Sequence, residues 1–296
     1  MKITFFILTL FFSFNSISQK GKRKIKVSNE KGTFFASWGY HRAVYSESDL
    51  YLSGYHYDFD LANSKAHDQQ SKLNSGDYSI KSISVPQYNF KVGYYFKQKW
   101  NITLALDHMK YIFSDFNRVA LTGFVTVPVG EVSLGDDRIF SNSYHHSQTI
   151  TTNKNQFHYE NAKGLNYVHA QLGYTERLYV AGKKNNFTLA YNAGIGTGII
   201  ISTASLFFNN IQEPPVQALS GYGVSGFAGL RGEIYKHFYI YSNLSVGFLH
   251  KVNERTSPSF SYSYARQMFG YSQIEIGVGI FLFKRVKNKC DDCPVW

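Results

Sequence analysis

Beyond Lys31, large apolar and polar residues alternate with a period of two along most of the chain. In YNFKVGYYFKQKWNITLALDHMKYI (88–112), Tyr88, Phe90, Val92, Tyr94 and Phe96 share one face, and Asn89, Lys91, Gly93 and Tyr95 share the other. After the break KQKWN, Ile102, Leu104 and Leu106 lie opposite Thr103, Ala105 and Asp107. A strand sends successive side chains to opposite faces, so this stretch predicts two strands joined by a tight turn. The same pattern predicts eight strands, at Thr33–Tyr45, Val85–Phe96, Ile102–Phe113, Leu165–Tyr179, Phe187–Ile201, Tyr222–Tyr235, Phe238–Val252 and Tyr271–Phe283. Most are far longer than the five or so residues of a usual globular strand, and long enough to cross a bilayer at a tilt, which takes about 9–11 residues.

The connections alternate in length. KQKWN, VAGKKNN and KH are short, while 46–84, 114–164, 202–221 and 253–270 are long. Sorting turns to one end and loops to the other is the plan of a closed antiparallel barrel in a membrane, with apolar faces outward. On that assignment Phe34, Trp38 and Tyr40 face lipid, as do Leu244, Val246, Phe248, Ile274, Ile276 and Val278. The inner face of the fifth strand, Thr188, Ala190, Asn192, Gly194, Gly196 and Gly198, suits a narrow lumen. Glu176 falls outward and predicts a bulge in the fourth strand. Tyr95, Phe96, Trp100, Tyr179, Phe187, Tyr235, Phe238, Tyr239 and Phe283 mark the short-turn ends. Tyr45, Tyr88, Tyr111, Tyr167, Tyr222 and Tyr271 mark the others, so two aromatic girdles are expected.

The expected organisation is a cleavable signal at 1–18 (MKITFFILTLFFSFNSIS), a basic periplasmic segment at 19–31, a barrel at 32–284, and a periplasmic tail at 285–296. The apolar run of the signal is too short to span a bilayer, which takes roughly 20 residues. Formal charge is +11, or +10 without Lys2, and much of it sits in KGKRKIK (20–26) and KRVKNK (284–289). For an exported chain without a nucleic-acid-binding motif, nucleic acid is excluded as the expected partner.

The pattern after Lys31 resembles the small outer-membrane barrels of the OmpA and OmpX type, and IEIGVGIFLF (274–283) looks like their terminal β-signal. SESDLYLSGYHYDFDL (46–61), VPQYNFKVGYYF (85–96), DHMKY (107–111) and GLNYV (164–168) resemble motifs of an uncharacterised family of single-domain outer-membrane barrels. The resemblance implies an all-β, eight-stranded up-and-down transmembrane barrel, contact with outer-membrane lipid and lipopolysaccharide, and insertion by the barrel-assembly machinery.

The inward positions place Lys91, Arg177 and Arg231 with Asp107, Glu233 and Glu275, beside His41 and His169. Ions inside a narrow barrel must pair, because an isolated buried charge is costly; this set is expected to form a polar plug. His108 and Lys110 face outward near the upper rim and are expected to meet lipid headgroups. A lipid A deacylase would carry an outward His–Ser–acid set, for which His108, His250 and Ser272 are candidates; His145-His146-Ser147 sits in a loop and departs from that family's pattern. A serine nucleophile needs a base within hydrogen-bond reach, so no catalytic residue is assigned. The acidic first loop (Asp49, His56, Asp58, Asp60, His67, Asp68, Asp77) lacks EF-hand spacing, and neither metal nor cofactor is expected. Cys290 and Cys293 form a C-x-x-C whose expected state in an exported chain is a local disulfide. The leading functional expectation is a non-enzymatic barrel whose loops bind a surface or periplasmic protein partner, or a ligand. The alternatives are a lipid A-modifying enzyme and a narrow channel.

Overall fold

The computed structural model describes residues 28–55, 57–69, 87–125, 143–155, 157–182, 186–208, 211–235 and 237–283. The expected signal and basic segments up to residue 27, His56, Asp77, and the tail with Cys290 and Cys293 lie outside the described residues. Among the described residues the ordered elements are all strands: β1 Thr33–Tyr45, β2 Ser48–Gly54, β3 Tyr57–Ser64, β4 Ala66–His67, β5 Tyr88–Lys97, β6 Trp100–Met109, β7 Ile112–Phe113 and β8 Arg118–Val125. They continue as β9 Ser143–Thr151, β10 Phe157–Glu160, β11 Leu165–Ala181, β12 Phe187–Phe208, β13 Ile211–Gln212, β14 Val216–Ile234, β15 Phe238–Arg255 and β16 Tyr264–Phe283.

Eight of these close a ring of antiparallel pairs in the order β1, β5, β6, β11, β12, β14, β15, β16, with β16 returning to β1. One row of paired residues runs Phe34, Tyr94, Ile102, Leu172, Ile195, Gly226, Val246, Ser272 and meets β1 again at Val44, ten residues further on. Eight strands with a stagger of ten tilt by roughly 40° from the axis. On β15 the outward apolar residues run from Phe238 to Phe248, a rise of about 25 Å at that tilt, the height of a lipid-facing belt.

The apolar face points out. Phe90 is 46% exposed, Leu104 63% and Ile276 60%, and they belong to a continuous band of exposed Phe, Leu, Ile and Val around the wall. Monomers in water rarely expose apolar patches beyond a few hundred Å², so the solvent this wall fits is acyl chain. Inside, small residues seat aromatic neighbours. A Cβ on Gly279 would lie 2.2 Å from the Tyr239 ring, and one on Gly93 would lie 2.1 Å from the ring of Phe35. Each glycine is paired across the strand with the aromatic that covers it.

The long connections expected at 202–221 and 253–270 are largely strand. β12, β14, β15 and β16 run past the belt, and further strands extend the sheet there from the projecting parts of β16 and β12. β16 pairs with β2, β2 with β3, β3 with β8 and β8 with β9, while the upper part of β12 pairs with β10, β10 with β7 and β7 with β4. The inner face also changes chemistry with height. Within the belt it carries Gln171, Asn243, Gln273 and Glu275; above it, Leu249, Phe269, Ile200, Ala204 and Leu206. Apart from register slips at Ile200/Ile201 and between Lys251 and Glu254, the parity of in and out is kept while the apolar side switches from outward to inward. The reason is the solvent: lipid outside the belt, water outside the head. The head therefore has a core like that of a soluble protein, built from Leu50, Leu52, Phe59, Leu61, Tyr111, Phe113, Leu121, Phe157 and their neighbours.

Two girdle expectations are corrected, one by this core and one by a smaller cluster of Phe35, Tyr95, Tyr239, Tyr241 and Phe281 inside the short-turn end of the barrel. Tyr95 and Tyr239 point into the lumen, and Tyr111, Tyr167 and Tyr271 are buried under the head, because the head requires apolar filling at that level. Phe96, Trp100, Tyr179, Phe187, Tyr235 and Phe238 stay exposed at the short-turn rim, as does Tyr222 at the other. The bulge in β11 lies between Arg177 and Tyr179; beside it Glu176 is held by Lys99 at 2.6 Å and by the Tyr174 hydroxyl at 2.6 Å.

Candidate functional site

The lumen is filled in tiers. At the short-turn end Arg231 donates to Glu233 through Nη2 (2.7 Å) and Nε (3.1 Å), and to the Tyr95 hydroxyl (3.0 Å). Its guanidinium lies 4.9 Å from the ring of Phe281 and 5.3 Å from that of Tyr239, and Ser28 donates to the far oxygen of Glu233. One tier up, Lys91 Nζ meets Glu275 at 2.5 Å, and Glu275 also accepts from Ser245 (3.0 Å) and Gln273 (2.9 Å). Above that, Asp107 faces His169 at 3.2 Å and accepts from Gln273 at 3.3 Å. His41 is fully buried at this level, and neither ring nitrogen has a hydrogen-bond partner among the described residues. A cavity of about 50 Å³ remains between Lys91, Arg231 and Asn243, space for a few waters. Buried ion pairs of this kind are weak evidence for stability; their geometric effect is to occupy the bore.

Arg177, expected in the lumen set, does not join it. It pairs with Ala190 just before the bulge, half-buried and with no ion pair among the described residues. His108 and Lys110 are corrected too: each is only 8% exposed. His108 keeps outward parity on β6, but Tyr88 stacks over it at 5.2 Å and Asn166 sits 2.7 Å from its Nδ1, which removes it from the headgroup layer. The set His108, His250 and Ser272 is not brought together. β6 and β15 are four strands apart in either direction around the ring, and the His250 ring contacts Tyr222 at 3.1 Å. His145, His146 and Ser147 lie on β9, in the head.

Two groups in the head went unseen in the sequence. The first is a fully buried polar knot. Lys251 Nζ lies 3.1 Å from Glu254 Oε2 and donates to the Tyr159 hydroxyl (2.6 Å) and to Asn161 Oδ1 (3.1 Å). Asn161 Nδ2 donates to Glu254 Oε1 at 2.7 Å, and Ser202 and Tyr159 also donate to that carboxylate. The register of β15 against β16 slips between Lys251 and Glu254, which turns both side chains inward, and period-two reading cannot anticipate such a slip. The second group is at the tip. Tyr55, between β2 and β3, stacks on Phe260 at 5.5 Å and 6°, and Tyr262 packs against both. All three remain exposed, Tyr55 at 62%. The acidic residues of the first hairpin serve as acceptors: Asp58 takes the Tyr51 hydroxyl (2.9 Å), and Asp49 takes the backbone N–H of Asn63 (3.0 Å). Among the described residues no three His, Cys, Asp or Glu side chains are placed to hold a metal.

Closed ring, apolar belt and filled lumen define the class: a small transmembrane β-barrel, here carrying a folded β-rich head. No protein-family model matches the sequence, and no curated protein does. Among solved structures the chain is similar to the outer membrane protein OprG of Pseudomonas aeruginosa, at 12% identity and TM-score 0.41, covering 88% of this chain and 100% of that one. It is similar to the attachment invasion locus protein Ail of Yersinia pestis at 11% identity and TM-score 0.32, over 85% and 99% of the two chains. It is also similar to outer membrane protein AlkL at 8% identity and TM-score 0.37, over 92% and 100%. At such scores these likenesses add no weight to the fold, which stands on its own strand register.

Proposed function

We propose that this chain is an exported outer-membrane protein whose barrel is a mount and whose head is a non-enzymatic binding module. The barrel face that meets lipid supports the location, and the C-terminal strand is the segment the assembly machinery would read. The observation that carries the binding role is the cluster of Tyr55, Phe260 and Tyr262. The head has a well-filled core, yet three aromatics stay outside it, stacked and exposed at its far end. Exposed, mutually stacked aromatic faces at the tip suit a partner presenting a flat apolar face, such as a sugar ring or an apolar side chain. The filled lumen argues for a mount over a pore.

The test is site-specific photocrosslinking in living cells, with a photoreactive phenylalanine replacing Tyr55. A discrete adduct is expected, lost when Phe260 and Tyr262 are changed to Ser at unchanged folded yield. An adduct that survives those changes, or none at any growth condition, would remove the tip from the mechanism.

A further inference from the structure

Lys251, Glu254 and Asn161 lie fully buried in the head, against its aromatic core. The rings of Tyr159, Tyr111 and Phe269 surround the lysine, with centroids 4.7, 4.9 and 5.6 Å from Nζ. A buried ion pair is no better for stability than apolar filling of the same volume, so its presence in a core of Leu, Ile and Phe calls for a chemical reason. The amine faces the amide carbonyl of Asn161, and the carboxylate touches both: Oε2 faces the amine at 3.1 Å, and Oε1 holds the amide nitrogen at 2.7 Å.

We propose that Lys251 and Asn161 become covalently joined side chain to side chain through an amide bond, with Glu254 as the acid–base group. The ammonium of Lys251 first gives one proton to Glu254. The neutral Nζ then attacks Asn161 Cγ, forming the new C–N bond. Glu254 relays a proton from the attacking nitrogen to Nδ2, the old Cγ–Nδ2 bond breaks, and Nδ2 leaves as ammonia. Glu254 ends as the carboxylic acid, the two starting charges are cancelled, and no oxidant or cofactor is consumed. Lysine attacks as the free amine when desolvated. Burial among the rings pulls Lys251 below the ordinary ammonium range, against the opposing field of Glu254. Lys251 lies beyond Phe248, above the lipid belt, and is separated from Asn161 by 90 residues, so the bond would tie β15 to the end of β10 across the mouth of the barrel.

Mass spectrometry of the folded, membrane-extracted protein tests this. The intact mass should fall short of the sequence mass by one ammonia, about 17 Da. Cyclisation of an N-terminal glutamine gives the same loss, so the deciding product is a branched tryptic peptide joining 155–163 to 237–255, uncut at Lys251. Lys251→Arg keeps the positive charge but lacks the nucleophile and should abolish the branch. Glu254→Gln, which keeps the shape, should lower it by about a hundredfold or more at equal refolding time. Quantitative recovery of both unbranched peptides from folded wild-type protein would overturn the proposal, and full branching in Glu254→Gln would remove Glu254 from the chemistry. Should either variant fail to fold, the wild-type peptide map decides alone.

Discussion

At the scale of single residues, the same side-chain type does opposite work on either side of the membrane edge. Tyr239 closes the lumen over Gly279, Tyr222 stands exposed at the upper rim, and Tyr111 fills the head. Residue type alone cannot separate these roles: Tyr239 points inward, Tyr222 points outward, and Tyr111 lies between β6 and β7, where the head covers it. Asp60 on β3 shows the cost of a partly covered charge. Burial, and then the neighbouring charge of Asp49, push its carboxyl up from 3.8 to about 6. A carboxyl whose folded pKa exceeds its unfolded value holds its proton more tightly when folded. Its destabilising effect is therefore absent below about pH 4 and grows as pH rises through about 6. Asp60→Asn should raise the urea midpoint of the head at about pH 7.5, and the gap from wild type should close at about pH 4. A gap that is unchanged between those conditions would mean that Asp60 is not strained.

At the scale of elements, β2 and β3 form a hairpin with regular alternation: Leu50, Leu52, Phe59 and Leu61 fall on one face, and Asp58 and Asp60 on the other. Its partner was not readable from the sequence. β2 continues the sheet from the projecting end of β16, through Leu52 opposite Ala265 and Leu50 opposite Gln267, a contact between residues more than two hundred positions apart. Only a closed barrel with an overlong final strand offers that edge. Leu52 is fully buried in the head core, and Leu52→Ala should cost about 2–5 kcal/mol. The loss should be local: limited proteolysis is expected to open the head of this variant while the barrel keeps its heat-modifiable mobility on gels. Equal loss in both parts would show that head and barrel unfold as one cooperative unit.

For the whole molecule, two solvents divide the work. Between Phe238 and Phe248 the wall is apolar outside and polar inside; beyond it the order reverses on the same strands. Ile276, near the middle of the belt, is the sensitive reporter. Arginine at a lipid-facing midplane position costs about 2–4 kcal/mol, so Ile276→Arg should reduce the folded fraction in vesicle-insertion assays. The same change should matter far less at Met268, an outward position of β16 beyond the belt. Equal tolerance at both positions would contradict the placement of the bilayer.

The eight strands of the ring, their order around it, and the outward face of the belt were present in the period-two pattern, because lipid contact must repeat on every strand that crosses; the eight further strands were not. Asp107 and Glu275 were recognisable as inward for the same reason. The head, the burial of His108 and the meeting of Lys251, Glu254 and Asn161 were decided only in three dimensions. They depend on strands overrunning the membrane edge, on a one-place slip in register, and on pairings between distant segments. A local pattern records which way a side chain points; it carries no information about what arrives to cover it.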